Sequence, residues 1–202
     1  MSQYTLKVHV DHSQYPTLKA SHYRLCVAKM VNQMYTVVWS GDDFLQNNTF
    51  QWTEEYEVFG QENFTVGALV QASTDPQHIK YGQTCELNAD GDLKPATGAP
   101  DKSGSFTVKN EFGAIHAGVN GRLGGKFSPI FVSPNVVSGD VVLQPVIQVK
   151  VWFDLHLQTG SMILDSTADN IEVVYEGGVE QNISYQGPKP GLGSWNLMQP
   201  DT

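Results

Sequence analysis

The run Ile147–Leu157 alternates strictly between apolar and polar side chains, and it constrains the fold more than any other part of the chain. Successive side chains of a β-strand point to opposite faces, so this pattern predicts one long strand with an apolar face and a polar face. At roughly 3.3 Å per residue the strand would be about 36 Å long, around twice the usual length. Covering its apolar side requires a large sheet, and the run therefore predicts an all-β protein.

Shorter segments of the same kind recur along the chain and are separated by turn residues. Examples are Thr5–Val10, Thr49–Phe59 and Ile171–Tyr175, whereas apolar residues nowhere recur at helical spacing over three turns. The length of 202 residues fits one large domain. We therefore expect a single domain over residues 1–202. Its predicted fold is a jelly-roll-like sandwich of two antiparallel β-sheets, with roughly ten to thirteen strands and little or no helix.

Two stretches interrupt the strand pattern. Residues 94–105 are rich in Pro, Gly and Ser, which predicts a long surface loop. Residues 113–139 are rich in glycine and contain no acidic residue. Because glycine supports neither helices nor strands well, we interpret this second stretch as a loop, or as an arm that reaches a neighbouring subunit through Ile130 and Phe131. A membrane-inserting hairpin is a third interpretation.

The surface is expected to carry little charge. Charged residues make up 16% of the chain, below the roughly 25% of an average soluble domain, and Gln and Asn are frequent. Such a surface repels itself weakly, so it packs against other copies or against sugars more readily than a highly charged one, while the net charge of −9 favours solubility. The composition therefore favours a non-enzymatic structural or interaction protein that forms a homo-oligomer or a larger ordered assembly.

The basic residues are too few for a nucleic-acid interface. The chain has twelve Lys and Arg, of which only Arg24 and Arg122 are arginines, and nucleic-acid binding requires a basic surface that displaces counterions. No apolar run approaches the roughly 18 residues of a membrane-spanning helix, and the first residues do not resemble a signal peptide. We therefore expect a cytoplasmic protein, although a secreted chain whose leader has been removed would look the same.

The polar face of the long strand carries the best candidate for a contact residue. Trp152 lies there between Lys150 and Asp154, and an exposed tryptophan flanked by hydrogen-bonding groups is typical of interaction hot spots. The alternative is that a crossing loop or terminal strand covers Trp152. The dense aromatic residues between Tyr35 and Phe64 form either the core or a sugar-stacking platform. A cytoplasmic carbohydrate-binding protein with a glycan partner is therefore the second hypothesis.

The motifs that resemble catalytic, phosphate-binding or metal-binding sequences lack the required spacing. The segment Gly118–Lys126 does not have the spacing of a phosphate-binding loop. His9 and His12 would lie on opposite faces of a strand, so they do not form a zinc site together. We therefore predict no catalytic residue, no metal ligand and no cofactor. An enzyme whose site is assembled from distant strands is the third hypothesis.

Cys26 and Cys85 are the two cysteines of the chain, and both lie in strand-like segments. In a reducing cytoplasm we expect two partly buried thiols that act as small apolar side chains. A disulfide between them, or between two chains, is the alternative.

Overall fold

The computed structural model describes residues 2–164 and 169–198. In this part of the chain, strands follow one another along the sequence, with one short helix near the start. The elements are β1 (Gln3–Val10), α1 (Tyr15–Ala20), β2 (Arg24–Val31), β3 (Ser40–Asp42), β4 (Asn47–Gln61), β5 (Gln77–Ile79), β6 (Thr84–Leu87), β7 (Phe106–Asn110), β8 (His116–Leu123), β9 (Lys126–Val132), β10 (Val141–Leu143), β11 (Pro145–Asp154), β12 (Asn170–Val174), β13 (Glu180–Gln186) and β14 (Ser194–Met198). The prediction of an all-β protein with little helix is confirmed.

The fourteen strands of the described residues form three sheets. The large sheet has the order β14-β13-β1-β4-β8-β9, and β5 pairs with β4 beside this path. A four-stranded sheet has the order β12-β11-β2-β3, and a three-stranded sheet has the order β10-β7-β6. Strand β1 therefore lies inside the large sheet, between β4, which is near it in the sequence, and β13, which is near the other end of the chain.

This arrangement differs from the predicted pair of antiparallel sheets. The strands are divided among three sheets, and two strand pairs, β1 with β13 and β6 with β7, are parallel. A parallel pair requires a connection that crosses back over the sheet, whereas a hairpin suffices for an antiparallel pair. Long-range pairings of this kind depend on which strands meet in space, and alternation along single strands does not encode them.

One large apolar cluster contains buried side chains from all three sheets. Part of it is aromatic: the ring centroids of Trp39 and Trp52 are 5.7 Å apart, and Trp52 also packs edge-on against Tyr175 at 5.3 Å. Aromatic side chains of this size remove a large apolar area from water when they are buried. The aromatic-rich segment 35–64 therefore supplies core residues to this cluster.

The two central strands of the four-stranded sheet, β2 and β11, are buried on both faces. Val149 and Val151 of β11 belong to the large apolar cluster on one side of the sheet. A second cluster on the other side consists of Cys26, Ala28, Tyr35, Val38, Trp152 and Ile163. Three of these residues come from segments outside the sheet and cover it, namely Tyr35, Val38 and Ile163.

Residues 113–139 are not an arm or an open loop, because they contain β8 and β9, which form a hairpin at one edge of the large sheet. A Cβ atom at Gly118 would lie 2.2 Å from the ring of Phe59, so glycine permits close packing there. Gly124 and Gly125 make the turn with φ values of +56° and +84°, as in the type I′ turns that join paired strands. The prediction for this segment is therefore wrong, because its glycines mark close approach and a tight turn.

The long alternating strand is present, but it ends earlier than predicted. β11 covers Pro145–Asp154 instead of Ile147–Leu157. The Asp154 carboxylate accepts hydrogen bonds from the backbone N–H groups of His156 at 2.8 Å and of Leu157 at 3.0 Å. An Asp side chain that bonds the backbone ahead of it competes with sheet pairing, and this turn closes the strand.

The connection between β6 and β7 contains residues 94–105, the stretch predicted to be a long surface loop. Within it, Thr97 exchanges backbone hydrogen bonds with Thr84 of β6 at 2.8 and 3.0 Å. The loop therefore runs along the open side of β6, which is an edge strand of the three-stranded sheet.

Candidate functional site

The structure places the predicted contact residues of β11 inside the protein. Trp152 is 0% exposed and Lys150 is 4% exposed. Lys150 Nζ lies 3.2 Å from a carboxylate oxygen of Glu172 and 4.5 Å from the ring centroid of Tyr35. The prediction that this face of β11 is open to solvent is wrong, because the second cluster covers it. Trp152 is a core residue, and the carboxylate of Asp154 ends the strand instead of offering a contact.

Ile130 and Phe131 are buried as well. Both lie in β9, with 0% and 1% of their surface exposed, and both belong to the large apolar cluster. They pack in the core of their own chain, so they do not provide the subunit contact that the sequence predicted.

Cys26 and Cys85 are free and buried. Cys26 lies in the second cluster and Cys85 in the large apolar cluster. Burial raises the pKa of the Cys26 thiol to about 12 and that of the Cys85 thiol to about 11. Thiols of this kind are protonated at neutral pH and react slowly, because the thiolate is the reactive form. The structure agrees with the interpretation as two small apolar side chains and contains no disulfide between them.

A buried polar cluster joins the four-stranded sheet to the large sheet. It consists of Lys29 from β2, Glu54 and Tyr56 from β4, and Tyr81, which follows β5. Lys29 Nζ donates to Glu54 Oε1 at 3.0 Å. The hydroxyl groups of Tyr56 and Tyr81 donate to Glu54 Oε2 at 2.5 and 2.7 Å. Both carboxylate oxygens of Glu54 are therefore engaged inside the protein.

An irregularity in β4 accompanies this position of Glu54. The pairing of β4 with β8 shifts between Thr53, which is opposite Arg122, and Tyr56, which is opposite Gly121. The two residues between Thr53 and Tyr56 thus have no partner in β8. Because two residues are inserted, the side chains of β4 keep pointing alternately to the same two faces of the sheet on either side of the irregularity. Bulges are known to re-aim side chains, and this one lies where Glu54 meets Lys29 of the neighbouring sheet.

The charges in the buried polar cluster are stabilised by each other and by aromatic rings. Lys29 Nζ lies 5.6 Å from the ring centroid of Trp52 and 5.9 Å from that of Trp39. Burial lowers the pKa of Lys29, an effect that the carboxylate of Glu54 opposes. For Glu54, burial acts to raise the pKa, but the Lys29 charge and the tyrosine hydrogen bonds outweigh it, so the pKa lies below its usual value.

This cluster is closed to substrates. Lys29 is 1% exposed and Tyr56 is 3% exposed, so a reacting molecule does not reach the amine or the hydroxyl group without opening the fold. Burial raises the pKa of Tyr56 well above its usual value, and the nearby Glu54 charge adds to this effect. A phenol with a raised pKa stays protonated and keeps donating its hydrogen bond. The arrangement therefore links two sheets and has the geometry of a structural element.

The large sheet ends on one side with β14, whose apolar side chains are uncovered. Leu197 is 60% exposed and Met198 is 45% exposed, and Leu192, just before the strand, is 64% exposed. Residues 190–198 contain no charged side chain. Within the part of the chain that the structure describes, hydrogen bonds join β14 to β13 and to no other segment.

Each of the other long edges has at least one contact from another segment on its open side. In β9, the opposite edge of the large sheet, Pro129 has no backbone donor, and the Val132 N–H donates to the Thr36 hydroxyl at 3.0 Å. Contacts also reach the edges of the smaller sheets, from Asn32 to β10, from Thr97 to β6, from Thr159 to β3 and from Gln181 to β12. An uncovered edge strand is a template for pairing with another chain. Among the described residues, β14 is the edge strand of five or more residues whose open side receives no contact of this kind.

The outward face of β1 and β4 forms a polar strip. We define it by its four cross-strand pairs, Gln3–Thr53, Thr5–Gln51, Lys7–Thr49 and His9–Asn47. At one end of the polar strip, a groove of about 530 Å³ continues onto β13 and β14, where it is lined by Glu180, Asn182 and Met198. At the other end, a groove of about 400 Å³ is lined by Glu55, Arg122 and the turn glycines Gly124 and Gly125.

Comparisons of the chain with protein-family models, with curated proteins and with solved structures give no match. In residues 2–164 and 169–198, no group of three or more His, Cys, Asp or Glu side chains is placed to hold a metal ion. None of the helical residues in the same ranges forms a segment long and apolar enough to cross a membrane.

Sequence reasoning identified neither of the two surfaces, although each leaves a trace in the sequence. The absence of charge over residues 190–198 stands out in a chain with a net charge of −9. The polar strip corresponds to alternate residues of two strands, and their side chains lie side by side because β1 and β4 pair in this register. The polar residues of each strand are evident from the sequence, but the pairing of β1 with β4 is not.

Proposed function

We propose that the protein is a non-enzymatic interaction protein that self-associates by pairing β14 with β14 of a second copy. The observation that supports this proposal is that β14 is an edge strand with exposed apolar side chains. It is an uncharged edge strand that exposes Leu197 and Met198, and among the described residues its backbone pairs by hydrogen bonds with β13 alone. Edges of this kind favour strand addition from another chain.

A second copy of the same strand is a suitable partner by symmetry. Two antiparallel β14 strands related by a twofold axis present the same pattern to each other, as in most homodimers. The net charge of −9 opposes association of two copies at long range, but residues 190–198 bring no charge to the contact. The paired residues themselves therefore add no repulsion between like charges.

The exposed side chains supply the apolar part of this contact. Leu197 lies opposite Ile183 in β13, on the inward side of the sheet, yet it is 60% exposed because the sheet ends there. Covering the exposed part of Leu197 in both copies contributes about 2–4 kcal/mol, before the entropy of association is subtracted. Backbone hydrogen bonds between the two strands add to the stability and fix the register.

The test is the mass of the particle in solution, measured by light scattering during size-exclusion chromatography. We expect the wild-type chain to have twice the monomer mass of 22.2 kDa. The Leu197→Lys variant is expected to be a monomer, because a lysine on an edge strand prevents pairing. The matched control is Val142→Lys: Val142 is 57% exposed on the edge strand β10, where Asn32 already donates to its carbonyl oxygen. This control is expected to remain a dimer.

Single cysteines introduced into β14 locate the contact. In a symmetric antiparallel pair, one residue faces its own copy. Among the single-cysteine variants of Ser194, Asn196 and Met198, we therefore expect one to form an intermolecular disulfide on oxidation. Cys26 and Cys85 are buried and do not interfere. A wild-type monomer at millimolar concentration would overturn the proposal, and so would a dimer that Leu197→Lys leaves intact.

A further inference from the structure

We infer that the polar strip on β1 and β4, with its two grooves, binds a neutral oligosaccharide. This inference goes beyond self-association and does not depend on it, because the polar strip lies on a face of the large sheet and the proposed contact lies along its edge. The two regions meet at Met198, which lines the first groove and belongs to β14. It assigns residues to a binding site for which the sequence had suggested only the class of ligand.

The charges of the site are balanced in pairs. In the first groove, Lys7 Nζ donates to Glu180 Oε1 at 2.6 Å. In the second groove, Arg122 Nη1 donates to Glu55 Oε2 at 2.6 Å. Each cation thus has its own carboxylate. An anionic ligand such as a phosphate requires basic groups that are not already neutralised, so these contacts favour an uncharged ligand.

Most of the remaining polar side chains are free to bind a ligand. Within the described residues, no hydrogen bond involves the side chains of Gln3, Thr5, Thr49, Gln51 or Asn182. Amide groups carry separate donors and acceptors, and a hydroxyl group does both. The hydroxyl groups of a sugar have the same dual character. A row of free amides and hydroxyls therefore matches a ligand that is rich in hydroxyl groups.

The dimensions of the polar strip favour a chain of sugars over a single ring. Its four cross-strand pairs span Gln3 to His9, which corresponds to about 20 Å along the strand. Apolar atoms of Met198 line the first groove, and near the second groove the ring of Phe127 lies 5.9 Å from the guanidinium carbon of Arg122. Such groups contact the C–H faces of sugar rings. A peptide, by contrast, is usually bound along a sheet edge or in apolar side-chain pockets.

The test is binding of unbranched neutral oligosaccharides of the gluco-, xylo-, manno- and galacto- series, measured by titration calorimetry and by NMR shifts of the protein. We expect at least one series to bind the wild-type chain. The double variant Thr49→Ala with Gln51→Ala removes two free polar groups from the centre of the polar strip, and we expect its affinity to be about tenfold lower. The matched control is Thr107→Ala in β7, a strand threonine of the three-stranded sheet, which is expected to bind as the wild type does.

Two results would overturn the inference. One is the absence of binding to all four series at millimolar concentrations. The other is an affinity that the Thr49 and Gln51 substitutions leave unchanged. The same titrations with the Leu197→Lys variant separate this inference from the proposed self-association, because a monomeric variant is expected to bind the oligosaccharide through its intact polar strip.

Discussion

Lys29 and Glu54 form an ion pair across two sheets, with Lys29 Nζ 3.0 Å from Glu54 Oε1 and with 1% and 16% of their side chains exposed. Removing a charge from water costs free energy, and a buried pair regains it only when both partners and their hydrogen bonds are present. In this protein Tyr56 and Tyr81 complete the set of donors to Glu54. The relative position of the two sheets therefore depends on the Lys29 ammonium group, the Glu54 carboxylate and the two tyrosine hydroxyl groups.

Replacing one partner of this pair is expected to destabilise the fold strongly. The Glu54→Gln variant leaves the Lys29 ammonium buried without its counter-charge, which lowers the free energy of unfolding by about 3 kcal/mol. Urea unfolding followed by tryptophan fluorescence measures this change. The matched control is Glu86→Gln, which removes a carboxylate 3.4 Å from Lys109 where both side chains are more than two-fifths exposed. This control is expected to unfold close to the wild-type midpoint, because solvent screens exposed pairs.

The same variant is expected to change the pH dependence of stability. Because the pKa of Glu54 in the folded state lies below its usual value, the unfolded chain binds its proton first as the pH falls. The stabilisation is therefore complete above the ordinary glutamate pKa of about 4.3 and is lost as the pH falls through the folded-state value. Thermal midpoints between pH 7 and pH 3 should fall less steeply in Glu54→Gln than in the wild type. Parallel curves would show that the pair does not contribute this linkage.

Close packing at Gly118 predicts a second destabilised variant. In Gly118→Ala the new methyl group would lie 2.2 Å from the Phe59 ring, so either the ring or β8 must shift. Overpacking of this kind costs about 1–3 kcal/mol. Gly139→Ala is the control, because no atom lies within 4 Å of its added Cβ. Chemical denaturation compares the two variants, and equal midpoints would contradict the packing argument.

The two thiols are expected to be protected in the native protein. Their pKa values of about 12 and about 11 leave almost no thiolate at pH 8, and burial blocks access to a reagent. Ellman's reagent should therefore react with Cys26 and Cys85 slowly in buffer and rapidly in denaturant. Rapid reaction of either thiol with the native chain would show that one of the two strands opens readily.

Alternation along the chain predicted the buried inner face of the long strand as far as Phe153, but Leu155 beyond the strand end is 43% exposed, and the prediction failed for the outer face. Val149 and Val151 are fully buried, as the pattern required. Trp152 is covered by the segments around Tyr35 and Ile163, and the residues of β11 themselves do not predict this cover. The neighbouring strand β2 carries a related signal, since Leu25–Ala28 is a continuous apolar run, which is typical of strands buried on both faces.

The candidate surfaces depend on sheet order, and sheet order is a property of the assembled chain. The position of β14 at an open edge follows from its pairing with β13 alone. Likewise, residues 113–139 have the glycine content of a loop, and their glycines are explained only by the assembled sheet, through the close approach of Gly118 to Phe59 and the turn at Gly124 and Gly125. Local preference therefore predicts the elements, whereas long-range pairing places the surfaces.

The parallel alignment of β1 with β13, which sets Thr5 beside Glu180, has a consequence for synthesis on the ribosome. On the ribosome β1 emerges well before β13, so one side of β1 has no partner until β13 follows. Until then, a nascent chain carries an incomplete sheet with an apolar flank, and pairings at such large sequence separation form slowly. A polypeptide truncated before β13 would therefore leave β1 unpaired on one side, although β1 is far from the truncation in sequence. Chaperones would be needed most at β1.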